Sequence, residues 1–279
     1  MTDRKQMTKV SVAAVVGVTG LLAMTGSAFA GTADYSSTAT FGIPGDTGQA
    51  GLPSQVFVPP GRTPVQSLQL TNVAPSYGGG GGSDFQMRLK SPTGTEITLI
   101  TNGCATYPNT SAFTIGDSAT NPIDGNGAFC TALNGGNPTT TGKPTQPLSA
   151  FNGQASVGAW TVTVVDAPLG PPMGSWNGWN LQIIHADPSL KADPAPFKIK
   201  KKFAISAVCD ANCTVTTGGA AGVTRTQLVA NSVGTIIAAA NKKAQKKGKG
   251  AVTLTATDET GATATTTVNA KTLKTKPKK

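Results

Sequence analysis

Leu148–Ile184 reads LSAFNGQASVGAWTVTVVDAPLGPPMGSWNGWNLQII and holds all three tryptophans of a 279-residue chain. Trp160, Val162 and Val164 alternate with Thr161, Thr163 and Val165. After a Gly/Pro-rich turn, Trp179, Leu181 and Ile183 alternate with Asn180, Gln182 and Ile184. A period of two sends successive side chains to opposite faces of an extended strand, so both runs predict half-buried antiparallel strands with a tryptophan on the core side. Such a ring is far more often core than a sugar platform. Trp176 lies in the turn region and stays open as a possible surface contact.

The same alternation extends outward. Val56 with Val58, Leu68 with Leu70, and Phe85 with Met87 and Leu89 read as strands, and Ser91-Pro92-Thr93-Gly94 turns the last of them into Ile97 and Leu99. With 5% aromatic and 13% charged residues and abundant Gly, Thr, Ser and Pro, the expected class is all-β. The glycine run Gly78–Gly82 precedes a strand pattern, not a helix, so it reads as a surface loop and not a phosphate cradle. Residues 100–147 are polar and look like a long loop. A Cys104–Cys130 bridge closing it would constrain the unfolded chain by about 3 kcal/mol. Asp84, Asp117, Asp124 and Asp166 are the calcium candidates, but they lack Asp-x-Asp-x-Asp spacing and read first as solvated acids, so no cofactor is called for.

Four cysteines allow three pairings. One pair in each half makes Cys104–Cys130 and Cys209–Cys213 the economical choice, and a zinc site lacks a Cys-x-x-Cys or a neighbouring histidine. Residues 1–30 combine Arg4, Lys5 and Lys9 with an apolar run and Ala28-Phe29-Ala30, the pattern of a secretory signal peptide. The expected product is secreted and extracellular, begins near Gly31 and has no membrane span.

Charge divides the chain. Residues 31–187 carry four Lys/Arg against eight Asp/Glu, and residues 188–279 carry sixteen against four. The basic part predicts attraction to an anionic cell-surface polymer. Nucleic acid is excluded as a partner because no aromatic platforms stand among the lysines. Residues 188–202 read as a linker and 203–270 as a second β module. Its Val233, Ile236, Ile237, Ala240 and Ala244 recur at helical spacing behind Asn231 or Ser232, with Gly248 as the stop. Lys242, Lys243, Lys246 and Lys247 crowd the end of that helix, either matching its dipole or forming a surface contact. Residues 271–279 are a basic tail.

Several motifs fall in a familiar order: Asp84–Leu89, Ser91-Pro92-Thr93-Gly94-Thr95, Leu148–Gly153, Gly158–Asp166 and Gly174–Leu181. Together they resemble the P domain, or P/Homo B domain, that follows the catalytic domain of proprotein convertases and many bacterial subtilisin-like proteases. The resemblance spans residues 41–184, within a module of residues 31–187, and implies a jelly-roll-like β-sandwich of roughly eight strands. The second module, with its Cys209-x3-Cys213 strand and final Thr255-Ala256-Thr257-Asp258 hairpin, resembles the smaller Ig-like β-sandwiches appended to secreted bacterial proteins, here with one helical segment.

No catalytic site is expected. A serine triad needs a histidine to move the proton, and His185, the single histidine, falls where the last strand meets the linker and reads as an exposed strand end. There is no Gly-x-Ser-x-Gly elbow. The sequence therefore points to a secreted, non-catalytic binding or stabilising protein. The alternatives are an accessory component of a subtilisin-like serine endopeptidase system, meeting a protein partner or protease in trans, and a glycan or cell-surface binding module.

Overall fold

The computed structural model describes residues 31–43, 51–77, 85–104, 107, 112–125, 127–135, 140–166, 174–193 and 201–270, with Asp166 and Ala270 described in their backbone alone. The Gly78–Gly82 run and Asp84 lie outside the described residues. The chain is all-β: antiparallel sheets stack around two apolar cores, one formed by residues 43–183 and the other by residues 190–268.

The opening stretch supplies a central strand to each main sheet of the first core. Gly158–Asp166 (β10) lies between Leu52–Val58 (β3) and Phe85–Lys90 (β6), and β6 pairs onward with Glu96–Ile100 (β7). Trp179–His185 (β12) lies between Thr32–Ser37 (β1) and Val65–Val73 (β4), followed by Phe113–Ile115 (β8) and Thr141–Gly142 (β9). A strand hydrogen-bonded on both sides and facing another sheet must carry apolar side chains at every second position. Trp160 and Trp179 do so, both fully buried. Both of these indoles find an acceptor: Trp160 Nε1 donates to the Ser156 carbonyl at 2.8 Å, and Trp179 Nε1 to Ser54 Oγ at 3.1 Å.

Three expectations for this half need correction. Trp176 is not a surface contact. Its strand, Gly174–Trp176 (β11), is paired on both edges, by Phe41–Ile43 (β2) and Pro75–Tyr77 (β5), and its ring is fully buried and stacked 6.3 Å from Phe41. The polar segment 100–147 is not merely a loop. It sends Phe113, Ile115, Ile123, Phe129 and Leu133 into the core and forms a helix at Ala128–Asn134 (α1), which Cys130 anchors through its disulfide to Cys104. Its apolar residues are too sparse in sequence for a periodic signal, yet these five are all buried. His185 is the third correction, because it is fully buried.

The second core lies between the sheet of Leu190–Ala192 (β13), Lys202–Cys209 (β14) and Val233–Ala239 (β17) and the sheet of Cys213–Gly219 (β15), Arg225–Leu228 (β16), Gly250–Asp258 (β18) and Thr263–Ala270 (β19). The Cys209–Cys213 bridge ties β14 to β15. Part of the expected linker is thus strand β13. The expected helix is mostly β17, with Ile236 and Ala238 inward and Val233 and Ile237 outward. Ile236, Ala238 and Ala240 share the inward phase of a strand while Val233 and Ile237 fall on the other face, and the run Val233, Thr235, Ile236, Ile237 favours the sheet because β-branched side chains lose rotamer freedom in a helix. What remains helical is Lys242–Lys247 (α2). It starts at Asn241, whose Oδ1 accepts the Ala244 amide at 2.8 Å, and stops at Gly248, whose φ of 61° is left-handed. Among the described residues no helix is long and apolar enough to cross a membrane.

Candidate functional site

The outward-facing positions of β12 and β4 build the best-formed recess. Gln182 and Ile184 on β12 stand beside Ser67 and Gln69 on β4, since in-phase alternation sends these residues away from Leu181, Ile183, Leu68 and Leu70. Gly116, Asp117 and Ser118, just after β8, form one wall, and Ser149 and Asn152 of the short 3-10 helix Leu148–Phe151 form the other. The half-open cavity measures about 320 Å³. That is at the small end for a ligand site and suits one sugar-sized or side-chain-sized group.

Hydrogen bonds order the floor of the recess. Gln69 Nε2 donates to Gln182 Oε1, and Gln182 Nε2 donates to Asp34 Oδ1 on β1 at 2.8 Å, giving an amide ladder across three strands. Asp117 holds the walls together: its two oxygens accept the Leu148 and Ser149 amides, each at 2.8 Å, and so cap the 3-10 helix. The hydroxyls of Ser67, Ser118 and Ser149 and the Asn152 amide complete the polar lining. No histidine, cysteine, lysine or arginine lines this cavity, and its one carboxylate is engaged by backbone amides. Such a surface can bind by hydrogen bonds but has no group placed to shuttle a proton.

The calcium candidates are described only in part. Asp117 is a helix cap, Asp124 is exposed, Asp84 lies outside the described residues, and the Asp166 side chain is not described. Among the described residues no three His, Cys, Asp or Glu side chains assemble into a metal site. Lys242, Lys243, Lys246 and Lys247 are exposed on α2 and do not line this recess.

His185 ends β12 in phase with Trp179, Leu181 and Ile183, so its ring points inward. Its Nδ1 lies 3.0 Å from the Thr63 carbonyl and its Nε2 lies 3.1 Å from Tyr35 Oη. A carbonyl only accepts, so Nδ1 carries the proton, and neutral Nε2 accepts from the tyrosine hydroxyl. Burial pushes the His185 pKa below its ordinary value, opposed in part by the Thr63 hydrogen bond. The ring is a structural polar plug. Its in-phase position was the signal available in the sequence, as was the outward phase of Gln69 and Gln182. The cavity itself was not readable, because Asp117 and Ser149 meet only through folding.

No known family model matches the chain, and no curated protein matches it. Among solved structures it is similar to the serine protease of Aeromonas sobria, at 14% identity and a TM-score of 0.32, over 56% of this chain and 27% of that one. The same protease in complex with its chaperone gives 14% identity and a TM-score of 0.31 over the same shares of the two chains. The glycoside hydrolase domain of Endo-D from Streptococcus pneumoniae gives 10% identity and a TM-score of 0.24, over 83% of this chain and 32% of that one. This chain thus spans well under half the length of each of these proteins.

Proposed function

We propose that this chain is a secreted, non-catalytic binding or stabilising protein, and that its working surface is the recess on the outer face of β1, β12 and β4. One observation carries the reading. The recess gathers hydroxyls and amides from four separate parts of the chain, while its single carboxylate is committed to backbone hydrogen bonds. Binding, not proton transfer, is what those groups can do.

The partner is an exported protein, and the P/Homo B resemblance of residues 41–184 favours a secreted serine protease stabilised in trans. The second module, basic by sequence, supplies attachment to an anionic surface polymer. The test is capture from the producer's culture supernatant by the chain from Gly31 onward and by a Ser118→Trp variant that fills the recess. A protein held by the first and released by the second supports the reading. Identical retention by both contradicts it. Retention instead on insoluble polysaccharide in about 0.5 M salt, where simple ion pairing is screened, would make the ligand a glycan.

A further inference from the structure

Most described lysines of the second module are gathered at one end; Lys191, opposite Val208, is the exception. Lys202, preceded by Lys201, opens β14 opposite Ala239, the last residue of β17, and α2 begins three residues after Ala239. Lys249 precedes β18, and Ala270, from which the lysine-rich 271–279 segment departs, is paired with Gly250. Asp210, Asp258 and Glu259 stand at the opposite end, at the far ends of β14 and β18. From Ala211 to Thr257 the sequence has no acidic residue at all. Eight residue steps of β18 separate the two ends by about 26 Å, more than two screening lengths of about 8 Å at physiological salt. The acids therefore do not neutralise the lysines.

Helix α2 sharpens the point. Its dipole accounts for Lys246 and Lys247 in the last turn, where cations are favoured, but not for Lys242 and Lys243 in the first turn, where they are disfavoured. Lys242 with Lys246 and Lys243 with Lys247 are like-charge pairs four residues apart, an arrangement that destabilises an isolated helix. Among the described residues none of these lysines has an ion-pair partner. Beside them is a cavity of about 280 Å³, lined by Lys243, Lys247 and Lys249 together with the small residues Gly219, Ala220, Ala244, Gly250 and Ala251.

We propose that this lysine-rimmed cavity binds successive phosphate groups of an anionic phosphodiester polymer at the cell surface. The inference rests on the attachment role of the second module and gives it a site and a ligand chemistry. Small lining residues leave room for a tetrahedral anion between three ammonium groups, and the neighbouring Lys242, Lys246, Lys201 and Lys202 extend the positive surface for a chain of them. A lipid bilayer fits less well: residues 201–270 contain one aromatic side chain, Phe203, and it is buried, so no aromatic anchor stands beside the lysines.

The experiment titrates linear polyphosphate into the chain from Gly31 onward, at about 0.15 M salt. Two variants are compared with it: Lys243→Gln/Lys247→Gln/Lys249→Gln, and the charge-matched Lys90→Gln/Lys191→Gln/Arg225→Gln, whose residues lie away from the cavity. All six side chains are exposed, so both variants should fold, which their melting curves check. The cavity variant is expected to bind at least about tenfold more weakly, a loss of roughly 1.4 kcal/mol, and the control less than about threefold more weakly. Equal losses in both variants, or none in the cavity variant, overturn the site while leaving surface attachment standing. Absence of polyphosphate binding by the unaltered chain overturns the attachment reading as well. Tighter binding to vesicles containing anionic phospholipid than to polyphosphate overturns the choice of polymer. Capture of a protein at the β4–β12 recess is read separately and is unaffected by any of these results.

Discussion

Arg62 Nη2 lies 3.2 Å from Glu259 Oε2, joining the loop after β3 to the turn between β18 and β19, and so the first core to the second. The contact is continued by Asn212, whose backbone amide donates to the Gly61 carbonyl at 2.9 Å and whose Nδ2 donates to Glu259 Oε1 at 3.2 Å. Gly61 permits the approach. Its φ is +91°, and a Cβ placed there would come within 2.0 Å of Asn212 Nδ2.

The two halves of this junction should therefore differ in sensitivity. Arg62→Ala removes an ion pair whose glutamate is 49% exposed, and is expected to cost at most about 1 kcal/mol, less at high salt. Gly61→Val combines backbone strain with a steric clash and is expected to cost about 1–3 kcal/mol. Urea unfolding of the two variants checks the order. A larger loss for Arg62→Ala would show that the ion pair, not the close approach, holds the junction.

His185 gives the fold a pH dependence. Its pKa is lowered in the folded protein by burial, so as pH falls below the ordinary value of 6.5 the unfolded chain binds the proton first. Stability from this group is fully present above that pH and declines as pH falls toward the lowered folded value. Arg62 disfavours the protonated ring further, while Asp258 and the Thr63 carbonyl favour it in part. Denaturation of the wild type and His185→Gln between pH 7.5 and 5, the span in which an ordinary histidine changes charge, should show a smaller acid-side loss in the variant. Tyr35→Phe should cost about 1 kcal/mol at neutral pH by leaving Nε2 without its donor. Parallel pH curves for wild type and His185→Gln would contradict the assignment.

Asp117 should matter for shape and not for metal. Asp117→Ala leaves two amides of the 3-10 helix without their acceptor and is expected to cost about 1 kcal/mol and loosen the Ser149 wall of the recess. Melting curves in millimolar Ca²⁺ and in chelator are expected to coincide for both proteins. A shift in the wild type that Asp117→Ala abolishes would restore Asp117 as a cation ligand.

The two disulfides should differ in weight. Cys104 and Cys130 are 26 residues apart, whereas Cys209 and Cys213 are four apart. On the loop-entropy estimate, replacing the first pair by alanine costs about 3 kcal/mol and replacing the second about 2 kcal/mol. The first replacement should also loosen α1 and β8, since the intervening segment contributes Phe113 and Ile123 to the core. Equal melting temperatures for the two double variants would contradict this order.

What the sequence made legible follows the physics of alternation. Trp160, Trp179 and their neighbours announced buried strands because a period of two over nine and seven residues leaves little choice. Alternation failed where it was shared with another pattern or interrupted. In Val233–Ala239 the outward Val233 and Ile237 hide the inward phase of Ile236 and Ala238 and complete a helical spacing instead, and Phe113, Ile123 and Phe129 are spaced by polar turns. Trp176 was misjudged because its three-residue strand is too short to show a phase, although it is covered on both edges. The recess lay beyond sequence reading for a different reason. It is assembled from β4, β12, the turn after β8 and the 3-10 helix, which approach only in the folded chain.

The central claim is that this recess is the binding surface, and hydrogen exchange with and without the captured partner tests it most directly. The account predicts new amide protection at residues 67–69, 116–118 and 149–152, with the second module unchanged. Protection confined to other segments, with these three exchanging as in the free chain, would contradict it.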